Sequence, residues 1–85
     1  MQVETEYQVF PARRVELEVG DMVSPTDRAL RELPHMPNSL GLITEIVGPS
    51  GGTQIAYVWW FNIEPGERVR GAPINISWLK VHRAI

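Results

Sequence analysis

Chemically reactive side chains are scarce in this chain. His35 and His82 are its only histidines, and it has no cysteine. Nucleophilic catalysis needs a serine, threonine or cysteine beside a base that is itself held in orientation. We expect no serine in a strained strand-to-helix turn like that of the Gly-x-Ser-x-Gly elbow. Metal sites need clustered ligands, whereas the two histidines stand 47 positions apart. We therefore expect a protein that is not an enzyme and that has no catalytic, cofactor or metal site.

Two other patterns could carry chemistry but have simpler explanations. Glu16 with Glu18 and Glu64 with Glu67 form carboxylate pairs, which we interpret as solvated charge on an exposed strand face and around a turn. The glycine-rich stretch 48–52 lacks the Gly-Lys-Ser/Thr ending of a phosphate-binding loop. We interpret it as the turn of a hairpin.

Length and composition indicate one small globular domain. The chain has 85 residues, of which 44% are hydrophobic and 21% charged, and its formal net charge is −2. This charge is too near neutral for a general polyanion binder. The longest apolar run, 55–61, has seven residues, whereas a membrane-spanning helix needs about 20. Because there is also no signal-peptide pattern and no cysteine, we expect a protein that is neither secreted nor embedded in a membrane.

The first third of the chain predicts short elements. Residues 1–12 are mixed in character, and we interpret them as an N-terminal arm with a short strand at 7–10. Strict alternation over 14–19 predicts a half-buried strand. The run Ser24-Pro25-Thr26-Asp27 predicts a helix start with Ser24 as its cap and proline at the first helical position. This helix should end near Leu33, since a proline follows.

The remaining signals predict an all-β fold. Strands are expected at 40–47, 54–62, 68–76 (bent at residue 71) and 80–84, with a single 3₁₀ turn at 77–79. Seven glycines and seven prolines, spread along the chain, separate these elements. We predict a small, strongly bent barrel of five or six short strands, with an arm at 1–12, a barrel domain at 13–85 and one short helical turn in a long loop.

The order of these signals resembles a known family. The residues that carry the resemblance are Gly20-Asp21-Met22-Val23, Gly41-Leu42-Ile43-Thr44-Glu45-Ile46, Val58-Trp59-Trp60 and Ser77-Trp78-Leu79-Lys80-Val81. Together they resemble the SH3-like small β-barrels, in particular the short barrel proteins found in tailed-bacteriophage genomes. The resemblance covers about residues 19–83 and implies an SH3-like fold, a phage origin, and a location in the virion or the host cytoplasm.

The aromatic strand at 54–62 is apolar on both faces. Alternation places Val58 and Trp60 inward and Tyr57, Trp59 and Phe61 outward, although a one-sided barrel strand should be polar outside. Three explanations remain open: cover by the chain's own arm or long loop, contact with another protein, or a platform for a carbohydrate or nucleobase. Under the second, we expect the partner interface to comprise Phe10, Tyr57, Trp59 and Phe61.

Charge along the chain suggests a different class of function. Residues 46–85 hold two acids and four bases, and the bases form a candidate basic face: Arg68, Arg70, Lys80 and Arg83. Small barrels hold single-stranded nucleic acids on such faces. We nevertheless expect a non-enzymatic protein–protein interaction module, a small structural or accessory protein of a phage particle of the cement or connector type. Its expected partner is itself or a larger virion protein; the alternative is a nucleic-acid-binding barrel that uses the basic face.

Overall fold

The computed structural model describes residues 6–49, 53–61 and 73–84. Its six strands form one antiparallel sheet in the order β1-β6-β2-β3-β4-β5. The strands are β1 (Tyr7–Pro11), β2 (Met22–Pro25), β3 (Gly41–Val47), β4 (Ile55–Trp60), β5 (Pro73–Asn75) and β6 (Leu79–Ala84). One helix, α1 (Asp27–Glu32), and two 3₁₀ turns, Ala12–Arg14 and Ile76–Trp78, complete the described elements. The predicted all-β small-barrel fold is confirmed.

The core lies against one face of this sheet. Alternate residues of β2, β3, β4 and β6 point into it, and the two 3₁₀ turns contribute Ala12 and Ile76. The buried cluster comprises Ala12, Leu17, Val23, Ile43, Ala56, Val58, Trp60, Ile76, Leu79 and Val81. On β4 the burial alternates, with Ala56, Val58 and Trp60 inside, as the sequence predicts. The inward face of the aromatic strand is therefore confirmed.

The predicted arm contains an integral strand of the sheet. The strand expected at 7–10 is confirmed and extends to Pro11, and all five residues of β1 pair with β6. The long segment between β2 and β3 carries the short helix, and a 3₁₀ turn precedes β6. The first and the last of the described strands are thus neighbours, which brings residues about 70 positions apart into one ladder.

The strand predicted at 14–19 is wrong. Arg14 ends the first 3₁₀ turn, and no strand is formed between Arg14 and Met22. A turn replaces it, because the Glu18 N–H donates to the Asp21 carboxylate (2.8 Å) and the Asp21 N–H donates to the Glu18 carbonyl (3.0 Å). Gly20 permits this turn with φ = 97°. Leu17 is buried in the core and Val15 packs against it, whereas Val19 is 64% exposed. The alternation therefore reflects two anchored side chains rather than a pleated strand.

The predicted helix start is displaced by two residues. Thr26 is the N-cap, and its hydroxyl accepts a hydrogen bond from the Ala29 N–H at 3.0 Å. Ser24 and Pro25 belong to β2, where they lie opposite Lys80 and Leu79 of β6. Pairing with β6 takes precedence over the local capping signal. The end of the helix is as predicted, with Leu33 as its C-cap.

Gly41 is required by the close approach of β3 to β4. A Cβ atom there would lie 2.5 Å from Val58 Cγ1 and 2.9 Å from both the Trp59 carbonyl oxygen and Trp60 Cε3. We expect Gly41→Ala to lower the free energy of unfolding by roughly 1–3 kcal/mol, because the added methyl group would overpack the core. Denaturant unfolding measures this change. Val47→Ala, at the half-exposed end of the same strand, is the control; a Gly41→Ala variant as stable as that control would contradict the prediction.

The two tryptophans of β4 should differ in their effect on stability. Trp60 is 5% exposed and Trp59 is 46% exposed. Trp60→Ala should cost roughly 3–5 kcal/mol out of a total of about 4–13 kcal/mol for a chain of this size, so the variant should be largely unfolded. Trp59→Ala should fold. Thermal and denaturant melts check both variants, and a greater loss for Trp59→Ala would reverse the assignment of the two faces.

Candidate protein-binding surface

One row of side chains crosses the outer face of the sheet. Residues directly opposite each other in antiparallel strands point to the same face. The registers align Val9 with His82, His82 with Met22, Met22 with Leu42, and Leu42 with Trp59. These five residues, here called the outer row, span β1, β6, β2, β3 and β4. Four of the five are apolar, although the face opposite the core is normally polar.

Both ends of the outer row are exposed, and further apolar surface adjoins the row at its β3–β4 end. Val9 is 49% exposed, Leu42 37% and Trp59 46%. Beside Leu42 and Trp59, Leu40 is 40% exposed and accepts a hydrogen bond from the Phe61 N–H at 2.8 Å. The apolar surface is therefore broadest over β3 and β4.

The structure divides the predicted partner interface. Tyr57 and Trp59 share the outer side of β4, and Phe61 follows the same strand, half-buried. Phe10 lies opposite Val81, a fully buried core residue, and therefore points to the inner face. The structure does not bring Phe10 together with the three β4 aromatics, because period-2 alternation puts its neighbour Val9 outside instead.

β1, the described strand of the arm, does not extend over the aromatic strand. Three strands, β6, β2 and β3, separate β1 from β4 in the sheet. Tyr7 and Val9, each 49% exposed, continue the outer face at its far end. β1 therefore does not cover Trp59, and residues 1–5 of the arm lie outside the described residues.

A polar pair that sequence reasoning missed joins His82 of the outer row to the neighbouring Ser24. Ser24 Oγ and His82 Nε2 lie 2.7 Å apart, within hydrogen-bond distance. Burial, and to a smaller extent the charge of Lys80, lower the pKa of His82. When the neutral ring carries its proton on Nδ1, its Nε2 accepts a hydrogen bond from the Ser24 hydroxyl. Among the described hydrogen bonds, no carboxylate orients this ring, so the pair lacks the third member of a nucleophilic triad.

The predicted basic face is not assembled by the described residues. Lys80 and Arg83 have opposite parity on β6 and point to opposite faces. Arg83 is bound at 3.0 Å by the Asp21 carboxylate and donates to the Glu16 carbonyl at 2.6 Å. Arg68 and Arg70 lie outside the described residues. Trp78, expected among these bases, instead has the Arg28 guanidinium 4.8 Å from its ring centroid.

An apolar groove lies on another side of the molecule. Segment 33–37 of the long loop forms one wall, and Trp60, Pro73 and Ile74 form the other, around a volume of about 230 Å³. His35 lies exposed at this groove. The nearly buried Trp60 lies between the groove and the core.

The described ranges 6–49, 53–61 and 73–84 were compared with the requirements of a metal-ligand cluster and of a membrane-spanning helix. No three of their histidine, aspartate or glutamate side chains cluster as metal ligands. None of the helices in this part of the chain has the length and apolar character needed to cross a membrane. Comparison with protein-family models, curated proteins and solved structures gave no match.

The lowered pKa of His82 predicts a pH dependence of stability. The unfolded chain binds a proton at the ordinary histidine pKa of about 6.5, whereas the folded chain binds it only at lower pH. Stability from this group is fully present above pH 6.5 and is lost as the pH falls through the folded-state pKa. Histidine NMR titration should give His82 a lower pKa than in the urea-denatured chain, and an equal or higher value would contradict this. In His82→Gln, this part of the pH dependence should disappear.

Proposed function

We propose that this protein is a non-enzymatic protein–protein interaction module whose outer row binds a partner protein. The observation that carries the proposal is the alignment of Val9, Met22, Leu42 and Trp59 across the outer face of the sheet. Contiguous exposed apolar surface on a small domain is typical of a binding site. Single exposed apolar residues are common on any protein, but an ordered row across five strands is not.

Trp59 has the properties of a central binding residue. Tryptophan is enriched among the residues that dominate binding energy, and Trp59 is 46% exposed. Burial of this exposed part, on the order of 100 Å², would contribute about 2–3 kcal/mol. Leu40 and Leu42 extend the apolar area beside it. A partner that presents apolar side chains of its own therefore fits this end of the row best.

Polar residues border the apolar surface. The register of β3 shifts between Ile43 and Glu45, and this bulge leaves Thr44 and Glu45 exposed next to Leu42. Lys80 and Ser24 lie on the other side of the row, beside His82. An apolar centre with a polar rim is the usual anatomy of a protein interface.

The assignment to a phage particle rests on the resemblance to the small barrel proteins of tailed bacteriophages. In that setting the module is a virion-associated structural or accessory protein, of the cement or connector type, and the partner is a larger structural protein or another copy of the chain. A compact barrel that offers an apolar sheet face suits this role, since it adds contacts between larger subunits without chemistry of its own.

Charging the row tests the proposed function. Trp59→Glu should remain folded by circular dichroism but lose the partner, since a carboxylate would be buried at the interface. Wild-type and variant chains, immobilised, are incubated with lysate or particles from the organism that encodes the chain. The captured protein is identified by mass spectrometry and purified, and its affinity is then measured directly with both chains.

The matched control is Val19→Glu. Val19 is 64% exposed but lies in the turn before β2 and is not part of the outer row, so this variant should bind like the wild type. Binding that survives Trp59→Glu would contradict the proposal. So would a nanomolar affinity for oligonucleotides at about 0.15 M salt, since non-specific binding is weaker than micromolar under these conditions.

A further inference from the structure

β1 forms one edge of the sheet, and its outer side is unpaired by any described strand. It pairs with β6 through all five of its residues without a break in register, and it stands first in the strand order. An edge strand presents backbone N–H and C=O groups that can pair with a further strand.

The edge lacks the features that normally prevent such pairing. Proteins protect edge strands with charged side chains, prolines or bulges. The sequence Tyr7-Gln8-Val9-Phe10 contains no charge and no proline, and its ladder contains no bulge. Pro11 stands only at the end of the strand. The unprotected length is therefore four residues, with Tyr7 and Val9 each half-exposed.

We propose that β1 is a strand-addition site and that its occupant is a second copy of this chain. The two β1 strands pair antiparallel about a two-fold axis at Val9. This inference rests on the proposed function, since Val9 belongs to the outer row, and it names one partner of that surface. It uses the edge of the sheet, however, and not the broad apolar area around Trp59.

The centre of the pairing follows from the length of the strand. A two-fold axis at Val9 is the arrangement in which all five residues of β1 find a partner. It sets Val9 opposite Val9, Tyr7 opposite Pro11 and Gln8 opposite Phe10 of the second copy. Val9, Tyr7 and Pro11 share the outer face, so an apolar pair is flanked by two aromatic–proline pairs. Like charges do not meet anywhere along this ladder.

Charges at the two ends of β1 favour an antiparallel second copy. Glu6 immediately precedes the strand, and Arg13 and Arg14 follow it in the first 3₁₀ turn; all three are exposed. Antiparallel pairing places the start of one strand beside the end of the other. Each Glu6 then lies beside the arginines of the second copy, at both ends of the interface. Parallel pairing would instead set like charges together.

The dimer would join two six-stranded sheets edge to edge. The two outer rows would meet at Val9 and form one continuous surface with a tryptophan at each end. Two-fold homodimers are the commonest protein oligomers, and their interfaces are self-complementary in this way.

Charge reversal with rescue tests the dimer. Sedimentation equilibrium of the wild-type chain should show a monomer–dimer equilibrium with a dissociation constant in the micromolar range, as the small interface allows. Glu6→Arg alone, and Arg13→Glu with Arg14→Glu, should each weaken the dimer about five- to tenfold, since each change acts twice across the two-fold axis. All three changes together should restore it. Hydrogen exchange of the amides of residues 7–11 should slow as the concentration rises.

Two further variants separate this inference from the proposed function. Val9→Lys should abolish the dimer and Val19→Lys should leave it intact, while Trp59→Glu should dimerise normally. A wild-type chain that stays monomeric up to about 0.5 mM would overturn the inference, as would a dimer that is insensitive to the charge reversals or that is lost in Trp59→Glu. Failure of the proposed function looks different: the dimer persists, but no partner depends on Trp59.

Discussion

The structure depends on β6 being paired on both sides. This last strand lies between β1 and β2 and joins the two ends of the described chain in one ladder. Its inner residues Leu79 and Val81 are fully buried, so the core closes only when the chain is nearly complete. Pairing between residues this distant carries a large loop-closure entropy. The same pairing places His82 beside Ser24 and makes Val9 part of the outer face.

A thin barrel has consequences for both faces of its sheet. A chain of this size buries only about 60% or somewhat more of its unfolded surface, and one face of the sheet supplies nearly all of the core. The described part of the chain has one six-residue helix and places no second layer over the other face. The outer row therefore stays partly exposed among the described residues, and the partner protein that we propose would cover it.

Sequence reasoning succeeded for the two faces of β4 and for the end of α1, and it failed for residues 14–19 and for the start of the helix. The two faces of β4 follow from alternation of large apolar residues, and the end of α1 follows from Leu33 and the proline after it. The alternation over 14–19 predicted a strand, but a turn is found there. Hydrogen bonds between Glu18 and Asp21, one to a side chain and one between backbone groups, close this turn. The N-cap is Thr26 and not the predicted Ser24, because Ser24 and Pro25 pair with β6 as part of strand β2. The pairs between β2 and β6 join residues more than 50 positions apart, which no local pattern encodes.

The sequence by itself determined that this is an all-β chain of short strands, with an aromatic strand that is apolar on both faces. These properties depend on side-chain period and on turn residues, which act over a few positions. Only the tertiary structure decided that Val9, His82, Met22, Leu42 and Trp59 form one row, and that Phe10 points to the core. Each depends on strand register, which is set by packing between distant segments and is therefore invisible to any local reading of the chain.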